Sequence, residues 1–205
     1  MIVLTDTDIV LKLAACQLLY ELPGLLDVSY SEVRVLNALR FQLRKQEHLK
    51  ERYTPGGVQR ALDFVDEAGE LSEAANDEYE ALLQVEGIDT GEAVLFAQTK
   101  HFSEVRLLTG DKGSLEALVE APDLDATKTR LAGRVYCFEQ LMLRFIDALG
   151  FEVVCRRVAP VRDCDTVLQM TFSDGLDSER ERAVRYFERF TPDLRVGEES
   201  LLAER

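Results

Sequence analysis

The sequence predicts an α/β fold: a short parallel β-sheet flanked by helices, followed by a mainly helical C-terminal extension. Three observations carry this. Apolar runs near residues 2, 107 and 135 have the bulk and length of buried strands, and the stretches between them space their apolar residues as helices do. Two of these runs, Ile2-Val3-Leu4 and Leu107-Leu108, end abruptly on small polar residues and carboxylates, Thr5-Asp6-Thr7-Asp8 and Thr109-Gly110-Asp111-Lys112, just as an amphipathic helix begins. The connection lengths suit right-handed crossovers between parallel strands. In such sheets the strand C-terminal ends open onto a shared crevice, where acids far apart in sequence can meet.

Taken in order, residues 2–4 read as a strand, and Ile9, Leu13, Cys16 and Tyr20 continue as a helix up to the Pro23-Gly24 break. Residues 25–28 read as a second strand. Ser31, Val33, Leu36 and residues 39–41 then begin a helix that turns polar, carrying Arg40, Arg44, Lys45, Lys50 and Arg52, interrupted by Gln46, Glu47 and His48. Such a basic run is a solvated face in the ordinary case and a strip for phosphates in the functional one. Pro55-Gly56-Gly57 reads as a turn, with helices after it over 58–69 and 76–85. Thr90 is placed to cap a helix through Ala93-Val94-Leu95-Phe96-Ala97, with Glu92 in its first turn.

The strand at 105–109 leads to a short helix marked by Leu115 and Leu118, and residues 132–138 form a further strand. Phe138, Leu141, Met142, Phe145, Ile146 and Leu149 fall on one helical stripe that stops at Gly150. Residues 1–150 are expected to form the α/β domain and residues 151–205 an extension packed on it, with Ala183, Val184, Phe187 and Phe190 facing inward from a charged helix.

Composition excludes several classes. At 205 residues and 46% hydrophobic the chain is long enough for one sizeable core. With 24 basic against 38 acidic residues the formal charge is −14, so contact with a polyanion has to be local. Cys16, Cys137, Cys155 and Cys164 lie far apart and there are only two His residues, which indicates reduced thiols rather than a zinc site or disulfide scaffold. The first apolar stretch is broken by Asp6, Asp8 and Lys12, so neither a signal peptide nor a membrane span is expected and a cytoplasmic location follows.

The acids at the junctions are the chemical signal. Each singly has an ordinary explanation as a helix cap or first-turn residue. Together, Asp6, Asp8, Asp89, Glu92 and Asp111 stand where separate elements start, inside apolar flanks. Converging carboxylates repel unless a cation neutralises them, and hard oxygen ligands suit Mg²⁺ or Mn²⁺. A metal so held binds a phosphate oxygen and activates water for phosphodiester hydrolysis without a nucleophilic side chain. The sequence offers no Ser/His or Cys/His constellation to compete, and His48 and His101 read as surface residues.

Three stretches resemble the PIN domain, a metal-dependent nuclease fold of toxin RNases and RNA-processing enzymes. The opening Met1-Ile-Val-Leu-Thr-Asp-Thr-Asp-Ile-Val is similar to the family's first strand, with Asp6 matching its acid and Asp8 in place of Asn. Asp89-Thr-Gly-Glu-Ala-Val-Leu-Phe-Ala resembles the acid-led central helix, with Glu92 the match, and Leu107-Leu-Thr-Gly-Asp-Lys resembles the T-x-D strand end, with Thr109 orienting and Asp111 ligating. The resemblance covers roughly residues 1–140. It implies an endoribonuclease acting on single-stranded or structured RNA in preference to DNA, with Mg²⁺ or Mn²⁺ held by Asp6, Glu92 and Asp111 and by Asp8 and Asp89 secondarily. It also allows a protein inhibitor of the antitoxin kind, and a homodimer.

The family's further Glu, after the second strand, is not in register here; Glu32 and Asn37 are the nearest candidates. Two rivals follow. A degenerate PIN-like module would bind without cutting. Asp6-Thr-Asp-Ile-Val is also similar to the signature of haloacid-dehalogenase-like phosphatases, with Asp6 as nucleophile and Asp8 as acid/base, although 135–140 supplies no Asp pair.

Overall fold

Val3 and Leu4 are neighbours in sequence, both fully buried, and pack into different hydrophobic clusters. A strand covered on both faces of a sheet produces that pattern. The computed structural model describes residues 1–45, 47–71 and 76–204. Its chain runs β1 (Ile2–Thr5), α1 (Thr7–Ala15), α2 (Leu22–Leu26), β2 (Val33–Leu36), α3 (Asn37–Lys45), α4 (His48–Tyr53), α5 (Pro55–Glu67), β3 (Gly69–Leu71), α6 (Asp77–Leu83) and α7 (Thr90–Gln98). It continues with β4 (Val105–Thr109), α8 (Lys112–Glu120), α9 (Asp125–Leu131), β5 (Val135–Cys137), α10 (Phe138–Leu149), α11 (Phe151–Val158), α12 (Thr166–Thr171), α13 (Arg180–Phe190), β6 (Arg195–Val196) and β7 (Glu199–Ser200).

Five strands form one parallel sheet in the order β3-β2-β1-β4-β5, with helices on both faces, and β6 and β7 form a separate hairpin. The fold is thus α/β, with a helical C-terminal region. β1 lies at the centre, Val3 opposite Val33 and Leu4 opposite Leu107. The first three strands build outward on one side and the chain then crosses back to start β4 against β1, so the order of strands reverses between β1 and β4. Ligand-binding crevices form at such a switch point, outside the strand C-terminal ends.

Several sequence expectations are corrected. Residues 25–28 are not a strand: Leu22–Leu26 is helical, Pro23 sits in its first turn where a missing N–H is harmless, and Asp27 closes it in the left-handed region at φ 55°. The first helix stops at Ala15 instead of reaching Pro23, because Gln17 takes φ 57°. The second strand is Val33–Leu36, with Val33 and Val35 buried in alternation. Pro55-Gly56-Gly57 begins α5, capped by Thr54 Oγ1 accepting from the Gly57 N–H at 3.1 Å. Gly57 there lies against the Ala15 backbone, where a side chain has no room. Residues 69–71, expected to follow a helix end, form edge strand β3. The basic run divides into α3 and α4; Gln46 lies outside the described residues.

The extension is continuous with the core. Val154, Val158, Leu168, Phe172 and Phe187 join the cluster that holds Val3, Ile9 and Phe145. On the far side, Val135 N–H donates to Leu201 O at 3.0 Å and Ala203 N–H to Val135 O at 2.7 Å, covering the exposed edge of β5. Among the described residues no single helix is long and apolar enough to cross a membrane. Cys16, Cys137, Cys155 and Cys164 are buried free thiols.

Phe172 is fully buried between Phe151 and Phe187, at ring-centroid distances of 6.3 and 6.2 Å. Phe172→Ala is therefore expected to destabilise the whole protein by about 3–5 kcal/mol. Urea denaturation followed by circular dichroism should show one transition moved to lower denaturant, and a separate early transition of the extension would contradict a shared core.

Candidate active site

The switch point between β1 and β4 opens into a cleft of about 940 Å³. Asp6 leaves the end of β1 as the N-cap of α1, where its carboxylate serves two elements at once. Its Oδ1 accepts from the Ile9 N–H at 2.6 Å, and its Oδ2 accepts from the Thr109 hydroxyl at 2.9 Å and the Gly110 N–H at 2.7 Å. The Thr109 oxygen in turn accepts from the Asp111 N–H at 3.0 Å. Thr109 lies beneath the cleft, 1% exposed, and reaches it only through these two bonds. Burial, followed by the charge of Asp8, pushes the Asp6 carboxyl up to about 6 despite its three donors.

Asp8 lies in the first turn of α1. Its carboxylate meets Lys12 Nζ at 2.5 Å and accepts from the Tyr53 hydroxyl at 3.1 Å. A Cβ at Gly110 would stand closer to Asp8 Oδ2 than van der Waals contact allows, so a side chain there would push the Asp8 carboxylate aside. Lys12 also pairs with Asp165 Oδ2 at 2.7 Å and lies 5.0 Å from the Phe138 ring centroid. Burial disfavours the Lys12 charge, but Asp8 and Asp165 outweigh it and hold the ammonium above its ordinary range.

On the opposite wall Asp89, not Thr90, caps α7; its Oδ1 accepts from the Gly91 and Glu92 N–H groups at 2.6 and 3.0 Å. Glu92 is 9% exposed and its Oε2 is buried with no hydrogen-bond partner among the described residues. Burial first, then Asp89, then Asp111 raise its carboxyl to about 8. The bond to Glu92 lowers Asp89 correspondingly, so the pair shares a proton that resides on Glu92. Asp111 caps α8, its Oδ1 accepting from the Ser114 N–H at 2.9 Å.

All five sequence-predicted acids thus line one cleft. As they stand, no three His, Cys, Asp or Glu side chains among the described residues are grouped to hold a metal ion. Carboxylate oxygens are the donor type that hard divalent cations take, and one of them, Glu92 Oε2, is buried without a hydrogen-bond partner among the described residues. Of the two candidates for a further ligand, Asn37 lies on the cleft. Glu32 is excluded: it precedes β2, at the opposite end of the sheet, and binds Ser29 and the Met1 amine.

Sequence reasoning missed Lys12, Tyr53, Glu139 and Asp165, and left Lys112 without a role. Lys112 Nζ donates to Glu139 Oε1 at 2.6 Å and to the Phe190 carbonyl at 2.7 Å. Glu139, at the start of α10, keeps a second buried oxygen without a hydrogen-bond partner among the described residues. Lone charges inside apolar runs, Lys12 in Ile-Val-Leu-Lys-Leu and Glu139 in Tyr-Cys-Phe-Glu-Gln-Leu, were the available signal. The basic run is partly neutralised, Arg40 by Asp66 and Glu70 and Lys50 by Glu47, while Arg52 lines the cleft. His48 and His101 are exposed.

A carboxyl held at about 8 in the folded state, against an ordinary 4.5, binds a proton that the unfolded chain releases. Its contribution is present below the ordinary value and is lost as pH rises towards 8. Glu92→Gln removes this dependence and should stabilise the metal-free protein at pH 8 relative to the wild type, on the order of 1–3 kcal/mol. Thermal unfolding of both proteins between pH 5 and 9 measures it, and parallel curves would contradict a buried protonated Glu92. Set beside protein-family models, curated proteins and solved structures, the chain matches none of them.

Proposed function

We propose that this chain is a PIN-like endoribonuclease, hydrolysing phosphodiester bonds of RNA with Mg²⁺ or Mn²⁺ held by Asp6, Glu92 and Asp111, and by Asp8 and Asp89 secondarily. The observation that carries it is the meeting of these acids on one cleft at the strand switch point, with a buried Glu92 oxygen that has no hydrogen-bond partner among the described residues. A divalent ion there would polarise a phosphate oxygen and supply hydroxide near neutral pH. The protein's own part is positional. Thr109 and Gly110 fix Asp6, Lys12 pairs with Asp8, and Lys112, with two of its three donors spent on Glu139 and Phe190, has one left for a phosphate oxygen.

The same geometry disfavours an aspartyl phosphatase. Both oxygens of Asp6 are engaged by protein donors and the residue is only 4% exposed, which suits a fixed ligand and not an attacking nucleophile. Asp8 is clamped by Lys12 and Tyr53 and is poorly placed to exchange protons as the acid/base. A second reading, RNA binding without cleavage, is favoured by two observations: lysines already occupy Asp8 and Glu139, and no three-ligand group stands preformed among the described residues.

The deciding experiment is cleavage of a labelled single-stranded RNA with Mg²⁺, with Mn²⁺ and with chelator. Cleavage is expected with either ion and none with chelator. Asp111→Asn should fall to the chelator background, whereas Asp8→Asn should retain measurable cleavage, because an aspartyl phosphatase alone would need that acid. Metal-independent cleavage, or cleavage surviving in Asp111→Asn, would refute the nuclease reading, and RNA binding without cleavage would select the second.

A further inference from the structure

Among the described residues three cations line the cleft, and they differ in how much of their hydrogen-bonding capacity is free. Lys12 is buried between Asp8 and Asp165 and is committed to that pair. Lys112 has two of its three donors engaged by Glu139 and the Phe190 carbonyl. Arg52, in the last turn of α4, is different. Its Nε donates to the Cys164 carbonyl at 3.2 Å, and its two terminal amines, four of the five donors of the group, have no partner among the described residues. Seven carboxylates line the same cleft, and none of them pairs with it.

The guanidinium is also held in place. The Cys164 carbonyl fixes it through Nε, and its carbon lies 5.1 Å from the Tyr53 ring centroid. Tyr53 is 3% exposed and is tied in turn to Asp8 through its hydroxyl, so the ring is a rigid spacer between Arg52 and the acids. A planar group fixed in this way loses little freedom when its free edge meets an anion. That edge, the two terminal amines, matches two oxygens of a phosphate. Lys112 is tied to α10 and α13, and Arg52 to the segment before α12, so separate parts of the chain hold two anion positions in one cleft. A nucleic-acid strand presents its charges in that manner, one phosphate per nucleotide.

We propose that Arg52 is a phosphate anchor: the free edge of its guanidinium takes a backbone phosphate of the RNA other than the one being cleaved, and so sets the register of the strand against the acids. This deepens the proposed nuclease and rests on that reading, but its first readouts are protection and binding, not cleavage.

One readout needs no variant. Phenylglyoxal modifies exposed guanidinium groups, and mass spectrometry of the peptides locates each adduct. A single-stranded RNA of about eight bases, within the site sizes single-strand grooves show, added to the full chain in chelator should suppress the adduct on Arg52. Arg185 and Arg195, exposed and outside the cleft, should react as before. Fluorescence anisotropy of the same strand, labelled, should show binding weakened about tenfold to a hundredfold in Arg52→Gln, the range for a lost hydrogen bond to a charged group. The log–log salt slope of that variant should fall by about 0.7. Arg52→Lys keeps the charge without the fork and should fall between the two proteins in affinity. With metal present, the loss of kcat/KM in Arg52→Gln should be carried by KM, because the contact is made equally before and during cleavage. Circular dichroism of each variant confirms folding.

An Arg52 adduct that RNA does not suppress, no measurable binding in chelator, or unchanged affinity in Arg52→Gln overturns the proposal. So does protection of Arg52 by a polyglutamate peptide as effective as that by RNA, which would make the free edge a site for acidic protein. Binding through Arg52 without metal-dependent cleavage removes the nuclease reading and keeps the anchor; metal-dependent cleavage with KM unmoved in Arg52→Gln does the reverse.

Discussion

One carboxylate joins the two central strands at the end where the cleft opens. Asp6 belongs to β1, yet two of its three hydrogen bonds come from the end of β4, the Thr109 hydroxyl and the Gly110 N–H. The third caps α1, so strand, neighbouring strand and helix are fixed to one another through two oxygen atoms. A buried carboxylate is tolerable only when donors satisfy it, and here the donors are the elements that must be aligned. The Thr109 oxygen passes the alignment on to Asp111 through its N–H, and the tight approach of Asp8 to Gly110 closes the same corner. The position of the acids is thus a consequence of how the sheet ends, and cannot be altered at one of them without moving another.

The counter-charges come partly from the C-terminal extension. Lys12 divides itself between Asp8 and Asp165, and Asp165 also caps α12 with its other oxygen. Lys112 divides itself between Glu139 and the last carbonyl of α13, a helix end that carries partial negative charge. Removing residues 151–205 would therefore strip apolar cover from the core and also free two lysines to move onto the acids. The extension acts on the site without supplying any of the acids predicted from sequence.

Much of this was legible in the residues. Apolar bulk and abrupt polar ends located β1 and β4, the two strands that matter, because a strand buried on both faces has to be continuously apolar. Asp6, Asp8, Asp89, Glu92 and Asp111 were singled out from their places at element starts, and those places meet in space because parallel strands point the same way. What failed was local. Val33 and Val35 alternate as a strand, but Val33, Leu36 and Leu39 also fit helical spacing, and a four-residue strand offers too few positions to separate the two periods. β3 is only three residues long and carries a Gly and a Glu, since an edge strand is half solvated. Lys12 and Asp165 pair across most of the chain, a contact that no local pattern encodes.

The cleft is asymmetric in how its acids are neutralised, and this bears on where a cation would enter. Asp8, Asp165 and Glu139 each hold a lysine. Among the described residues Asp89, Glu92 and Asp111 hold none; on that side the compensating charge is the proton that burial and Asp89 keep on Glu92. A lysine tethered by its own backbone is displaced only by moving the chain, whereas a proton leaves into water. A divalent ion arriving on the Glu92 side would exchange with that proton, so its affinity would rise with pH until Glu92 is ionised anyway. The lysine side would keep its pairs and leave the spare donor of Lys112 facing the incoming anion. In the proposed reaction the two halves then have different work: one to take up the metal, the other to hold a phosphate against it.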